Sequence, residues 1–227
     1  MKAFNDTNVS IAYVFLCEPH SKIAEHIICQ EYDDVYWSCN VVEEFQDRVG
    51  DKQDYLLGFY EKLEIELYGY RKLYYSFTQL ENFANNFSYV DDKQRKDVLS
   101  SLEPFWRYYC QYSDKCVIDS MIESVRDFNT FLQTIIFERM DFCEDSYILT
   151  DDLHKRTEEY LDLRDVLEGN DVHDEDIEIA LDAHHFSKKL DSPLDFITFD
   201  RRCCKGVFKS NLYFNKVKGL IDYDFLT

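Results

Sequence analysis

Residues 2–9, Lys2-Ala3-Phe4-Asn5-Asp6-Thr7-Asn8-Val9, begin as a short extended run and pass into residues that favour turns and helix caps. The stretch beyond, with Val9, Ile11, Ala12, Val14 and Phe15, is largely apolar and reads as a helix. The same order then returns. Val35-Tyr36-Trp37 reads as a second strand, and Ser38 as the cap of a helix whose apolar positions Val41, Val42, Phe45 and Val49 keep a helical period. Towards the other end, a helix over 174–189 precedes Phe196-Ile197-Thr198-Phe199, a β-type run ending at Asp200, and 217–225 reads as a closing strand. Strands alternating with helices predict an α/β fold with a parallel sheet.

The intervening residues 51–150 differ in kind. Leu56, Phe59, Tyr60, Leu63, Leu67, Tyr70 and Tyr74 recur at helical spacing, which predicts one long amphipathic helix. Asp91-Asp92 caps another helix, expected to stop before Pro104, and Ile118, Met121, Ile122, Val125, Phe128, Leu132, Ile135 and Ile136 form a third stripe. This segment reads as a helical insertion, and core packing is the natural use of its many tyrosines. After it, 151–167 reads as a charged helix closed by Gly169.

Composition agrees with such a chain. Only 6 Gly and 3 Pro in 227 residues favour long helices over turn-rich β architecture, and 17 Tyr with 18 Phe supply ample core. No apolar run is long enough to span a bilayer, and the start, Lys2 to Asp6, lacks the pattern of an export signal. A cytoplasmic protein with reduced cysteines is therefore expected. No Cys-x-x-Cys occurs among the eight cysteines, which gives a structural zinc site little support. The pair Cys203-Cys204 reads as buried small apolar residues rather than a redox pair. The net charge of −20 repels polyanions unless their binding is local or assisted by metal.

Parallel α/β folds place chemistry at the carboxyl ends of strands. Asp6 ends the first predicted strand and Asp200 the Phe196-Ile197-Thr198-Phe199 run. Glu43 and Glu44 fall just after the second strand, while Asp174 and Asp176 open the late helix. Singly, these residues read as a cap, a turn residue, a solvated helix residue and a complement to a helix dipole. Gathered at one sheet edge, they would repel one another unless a divalent cation neutralised them, and hard oxygen ligands suit Mg²⁺ or Mn²⁺. Residues 201–218 hold Arg201, Arg202, Lys205, Lys209, Lys216 and Lys218 and no acid. Arg201, Arg202 and Lys205 are thus candidates to hold phosphate beside the acids. The acidic run 171–182 is not a calcium loop, because it lacks the Gly and Glu that an EF-hand needs at its sixth and twelfth positions. His184-His185, adjacent on a helix, point apart and read as ordinary helix residues.

Asp6-Thr7-Asn8-Val9-x-Ile11-Ala12-Tyr13 resembles the opening of PIN-domain nucleases. Ser38-x-x-Val41-x-x-Glu44-Phe45 resembles that family's second acidic segment, Asp176-x-x-Ile179-Ala180-x-x-Ala183 its third, and Phe196-Ile197-Thr198-x-Asp200 its fourth. The resemblance implies a PIN-like three-layer α/β/α domain, residues 1–50 and 151–227, interrupted by a helical insertion over 51–150. It implies a metal-dependent ribonuclease like the toxins of toxin–antitoxin pairs, with Asp6, Glu44, Asp176 and Asp200 as catalytic acids. Of these, Asp6, Asp176 and Asp200 would be the metal ligands, supported by Asn8 and Thr198. An RNA substrate and an antitoxin partner follow from the same resemblance, while the surplus of Tyr and Phe in the insertion leaves aromatic surface for another protein partner or a second copy of the chain. The alternatives are a nuclease acting on structured RNA or DNA, and a non-cleaving scaffold that binds protein through its insertion. The insertion, and Arg201-Arg202 directly after Asp200, depart from the family's pattern.

Overall fold

The computed structural model describes residues 1–70, 73–74, 76–112, 117–151, 153–154, 157–190 and 193–226. In chain order, strand β1 (Lys2–Asn5) leads into helices α1 (Thr7–Val14) and α2 (Ser21–His26), the latter continued by a π-helical turn over Ile27–Glu31. Strand β2 (Asp34–Ser38) is followed by α3 (Cys39–Tyr70), α4 (Phe77–Asn85), α5 (Asp92–Tyr112) and α6 (Ile118–Ser146). Then come β3 (Ile148–Thr150), α7 (Glu158–Gly169), α8 (Asp174–Lys189), β4 (Asp195–Ile197), α9 (Arg201–Lys209), β5 (Lys216–Lys218) and a 3-10 segment over Leu220–Leu226. The chain divides into two compact units: Met1–Tyr13, Pro19–Arg48 and Asp141–Thr227 form the first, Val14–Glu18 and Val49–Met140 the second.

The first unit is an α/β domain. Its five strands lie in the order β3-β2-β1-β4-β5, and every pairing is parallel. Ala3, Phe4, Val35, Tyr36, Trp37, Phe196 and Ile197 are all buried, as expected where helices cover a parallel sheet. Phe4 pairs with Phe196 in register, and their rings stack at 6.4 Å. The strand order runs outward from β1 to β2 and β3, then restarts on the other side of β1 with β4. The carboxyl ends of β1 and β4 therefore flank the reversal point, where open α/β sheets form their ligand crevice.

The second unit is helical. Leu56, Phe59, Tyr60, Leu63 and Leu67 of α3 are buried, as are Val98, Leu102, Phe105 and Tyr109 of α5 and Met121, Val125 and Phe128 of α6. Tyr60 lies 5.7 Å from the Phe105 ring and 5.2 Å from that of Phe128, and its hydroxyl meets the Ser101 hydroxyl at 2.9 Å. Most of the tyrosine stripe is thus core, although Tyr68 and Tyr70 are exposed.

Several expectations change. The two helices expected around Gly50 are one, α3, because the apolar stripe continues past it and a helical Gly costs only about 1 kcal/mol. Tyr74 lies beyond its end. Helix α5 runs through Pro104. Pro104 is exposed, so the carbonyl it leaves unbonded can face water, while Leu102, Phe105 and Tyr109 anchor both sides. Residues 148–150, expected to be helical, pair with β2 as a sheet edge too short to show a period. Helix α7 starts at Glu158 rather than at 151; Thr157 is extended, and 152, 155 and 156 lie outside the described residues. Asp171, at φ 66°, takes the left-handed position after α7 that Gly169 was expected to serve. The closing strand is only Lys216–Lys218, and the basic stretch is largely the helix α9. Ser38 ends β2, and its buried hydroxyl makes no hydrogen bond, so it does not cap α3. Among the described residues, no helix is long and apolar enough to cross a membrane.

Candidate functional site

Asp6 is the first residue after β1, and its amide donates to the Ile197 carbonyl at the end of β4, 2.9 Å away. That bond closes the crevice between the two strand ends and draws Thr198 against the acid. The Thr198 hydroxyl donates to Asp6 Oδ2 at 2.6 Å, and Asn8 Nδ2 donates to the same oxygen at 2.6 Å. Asn8 Nδ2 also reaches Thr198 Oγ1 at 3.1 Å, while its Oδ1 accepts from the Phe199 amide at 2.7 Å. Asn8 and Thr198 are therefore a clamp on Asp6, two residues from opposite ends of the chain held by the β1–β4 pairing.

Asp6 is 2% exposed. Burial pushes its carboxyl up to about 7; the Thr198 hydrogen bond opposes this, and the nearby Asp176 and Glu44 charges add to it. Asp176, in the first turn of α8, is also raised, to about 6, by burial and then by Asp200 and Glu44, with His173 and Arg48 opposing. Glu44, in the second turn of α3, accepts from the Thr7 hydroxyl at 2.6 Å and pairs with Arg48 at 2.6 Å. Glu43, its sequence rival, is exposed, as is Asp174, which lies 3.4 Å from Arg164. Glu44 and Asp176 are thus the members of each pair that face the cluster.

Asp200 has a structural task as well. Its Oδ1 accepts from the Arg202 amide at 2.7 Å and the Cys203 amide at 2.8 Å, capping α9. The cap fixes the first turn of α9 and buries Cys203 at 0% exposure. Ligand atoms of Asp6, Asp176 and Cys203 lie within 4.8 Å of one another. Donors held about 2.0–2.4 Å from one ion can be no further apart than that, so these three fit a divalent cation. Asp200 was expected as the third ligand, but Cys203 occupies that place in the group. Cys203 is buried, as expected from the sequence, and its position three residues after a capping Asp brings it onto the inner face of the new helix. Burial raises its thiol well above the ordinary range, and Asp6, Asp176 and Asp200 add to the effect.

Two further contacts set the frame. Asp182 of α8, 0% exposed, accepts from Asn40 Nδ2 at 2.8 Å and lies 2.7 Å from His154 Nδ1. It ties α8 to the start of α3, and so Asp176 to Glu44. Gly206 of α9 passes so close to Val172 that an added Cβ would lie 2.2 Å from its Cγ2. This brings α9, with Cys203, against the chain that leads into α8.

Beside the acids lies an open groove of about 1220 Å³, lined by Thr198, Asp200, Arg201, Arg202, Lys205 and Phe208 among others. Arg201, Arg202 and Lys205 are exposed, and so is the Phe208 ring. Asp171 and Asp222 also line the groove, so its charge is mixed. Lys218 is diverted elsewhere, to Glu31 and the Tyr32 hydroxyl, both at 2.6 Å. His184 and His185 are engaged away from the acids: the Tyr213 amide donates to His184 Nδ1 at 2.7 Å, and the Tyr160 hydroxyl meets His185 Nδ1 at 2.6 Å.

The chain matches no family model, no curated protein and no solved structure.

Proposed function

We propose that this chain is a metal-dependent nuclease of PIN type that hydrolyses phosphodiester bonds in single-stranded RNA. The observation that carries the reading is the meeting of Asp6, Glu44 and Asp176 at the reversal point of a parallel sheet, with two of these carboxyls holding protons to about 7 and about 6. Folding has brought together charges that destabilise one another, and a bound cation is the simplest compensation. Asp6 and Asp176 would hold the ion, with Asn8 and Thr198 fixing the Asp6 carboxylate. A divalent ion in that place supplies charge to polarise a phosphodiester and to make a bound water more acidic at neutral pH. Glu44, oriented by Thr7 and Arg48, would accept a proton from that water. Arg201, Arg202 and Lys205 would hold the phosphates on either side, and the Phe208 ring offers a face on which a base can stack. A local cationic helix beside an ion site also answers the −20 charge of the chain.

The deciding experiment is cleavage of a labelled single-stranded RNA with EDTA, Mg²⁺ or Mn²⁺, alongside Asp176→Asn and with single-stranded DNA and duplex RNA for comparison. Metal-dependent cleavage that Asp176→Asn removes supports the proposal. Wild-type turnover in Asp176→Asn, or cleavage that survives EDTA, refutes the site. Preference for DNA or duplex RNA refutes the substrate.

A further inference from the structure

We propose that Cys203 is itself a ligand of this centre, and that its sulfur makes the site prefer a transition-metal ion such as Zn²⁺ or Co²⁺ over Mg²⁺. The inference rests on the metal-site reading above and specifies it further.

Cys203 is 0% exposed, and its Sγ belongs to the one group of convergent donors found among the described residues, with Asp6 and Asp176. Gly206, on the same buried face of α9, meets Val172 and Asn170, whereas Cys203 lies with two carboxylates. The Thr198 hydroxyl donates to Asp6, accepts from Asn8 and from the Asp200 amide, and also hydrogen-bonds the Cys203 side chain. The sulfur thus lies beside both the Asp6 clamp and Asp176, in a place where a divalent ion would meet all three groups.

The position is also rigidly set. Asp200 binds the Cys203 amide itself, and Gly206 lets α9 approach Val172 more closely than any residue with a Cβ would allow. One consequence is a division of roles between two residues three apart: Asp200 orients the helix, and Cys203 presents the donor. On coordination the thiol gives its proton to solvent and the sulfur binds as thiolate, so that three anionic donors face a dication. Two oxygens and a sulfur form a mixed set. Mg²⁺ demands oxygen ligands in octahedral array, whereas Zn²⁺ and Co²⁺ accept thiolate and lower coordination numbers.

The test is titration of metal-free, reduced full-length protein with Co²⁺, followed by absorption and by calorimetry, in wild type, Cys203→Ser, Cys203→Ala and Asp6→Asn. The expected result is a near-ultraviolet sulfur-to-cobalt band that saturates at one equivalent and disappears in both Cys203 variants and in Asp6→Asn. Zn²⁺ should displace the Co²⁺ at far lower concentration than Mg²⁺. The Zn²⁺-over-Mg²⁺ preference should fall about ten-fold or more in Cys203→Ser. Far-ultraviolet circular dichroism identifies any variant that has not folded, and the Cys203→Ala and Asp6→Asn arms then carry the comparison. Co²⁺ binding at one equivalent without the band overturns the role of Cys203 and leaves the acidic site standing. A band that persists in Cys203→Ala arises from other cysteines and likewise overturns it. Absence of binding by Co²⁺, Zn²⁺ and Mn²⁺ alike removes the metal site on which both proposals depend.

Discussion

Replacing Asp6 by Asn, with metal removed by EDTA, should stabilise the protein above neutral pH and leave it nearly unchanged in acid. In the fold, Asp6 keeps its proton to about 7, whereas the ordinary value of 3.8 applies once the chain unfolds. Between those limits the folded state holds a proton that the unfolded state has released. Stability therefore falls as pH rises through the window, and is highest below it. The window spans roughly three pH units, at about 1.4 kcal/mol each, so full ionisation sets an upper bound of about 4 kcal/mol. Side-chain relaxation around the carboxylate reduces this, and about 2–4 kcal/mol is expected at pH 8. Asparagine keeps the shape, and its carbonyl can still accept from Thr198 and Asn8 in place of Oδ2. Its amide then faces Asp176 and Glu44 as a donor, where the native residue presents charge. Urea unfolding of both proteins from pH 4.5 to 8 measures the difference, which should grow by up to about 1.4 kcal/mol per pH unit between 5 and 6.5. A difference that stays flat with pH would show that Asp6 ionises freely, and the argument from desolvation would fail. Adding Mn²⁺ at pH 8 should reverse the order, raising the wild type and leaving Asp6→Asn where it was.

Asp200→Ala should cost about 1 kcal/mol in urea unfolding by uncapping α9, and Asp200→Asn should recover most of that, since its side-chain oxygen can still accept the Arg202 and Cys203 amides. Equal losses in the two variants would deny the capping role. Gly206→Ala gains about 1 kcal/mol of helix propensity but must displace Val172, which is stiff at χ1 and 6% exposed, and the Asn170 carbonyl 3.0 Å away. A net loss of about 1–3 kcal/mol is expected, and an unchanged or raised melting temperature would contradict the close approach. Asp182→Ala leaves Asn40 and His154 without their buried acceptor and should destabilise by about 3 kcal/mol. Because Asp182 joins α8 to α3, the same variant should weaken Mn²⁺ binding; a variant that binds Mn²⁺ like wild type would separate this network from the site.

Local reading succeeded where a buried apolar run or a helical period was long enough to show. The buried runs of β1, β2 and β4, and the span of α8 from its acidic first turn to Lys188-Lys189, belong to that class. The edge strands β3 and β5 have no buried apolar run to display, and only their partners in the sheet define them. Gly50 and Pro104 are local helix breakers, overruled here by apolar faces that pack on either side of them. The acids themselves could be named from the sequence, because strand ends in a parallel sheet share an edge. Their partition could not. Which of Glu43 or Glu44 faces inward is set by helix phase against Thr7, and whether Asp200 or Cys203 points at Asp6 is set by the cap that starts α9. Asp6 and Thr198 stand 192 residues apart, and it is the Phe4–Phe196 register that places a hydroxyl 2.6 Å from a carboxylate. Residue types and periods carry the choice of donors, while sheet pairing and close helix approach decide which of those donors meet, since such distances depend on packing between segments that sequence proximity does not encode.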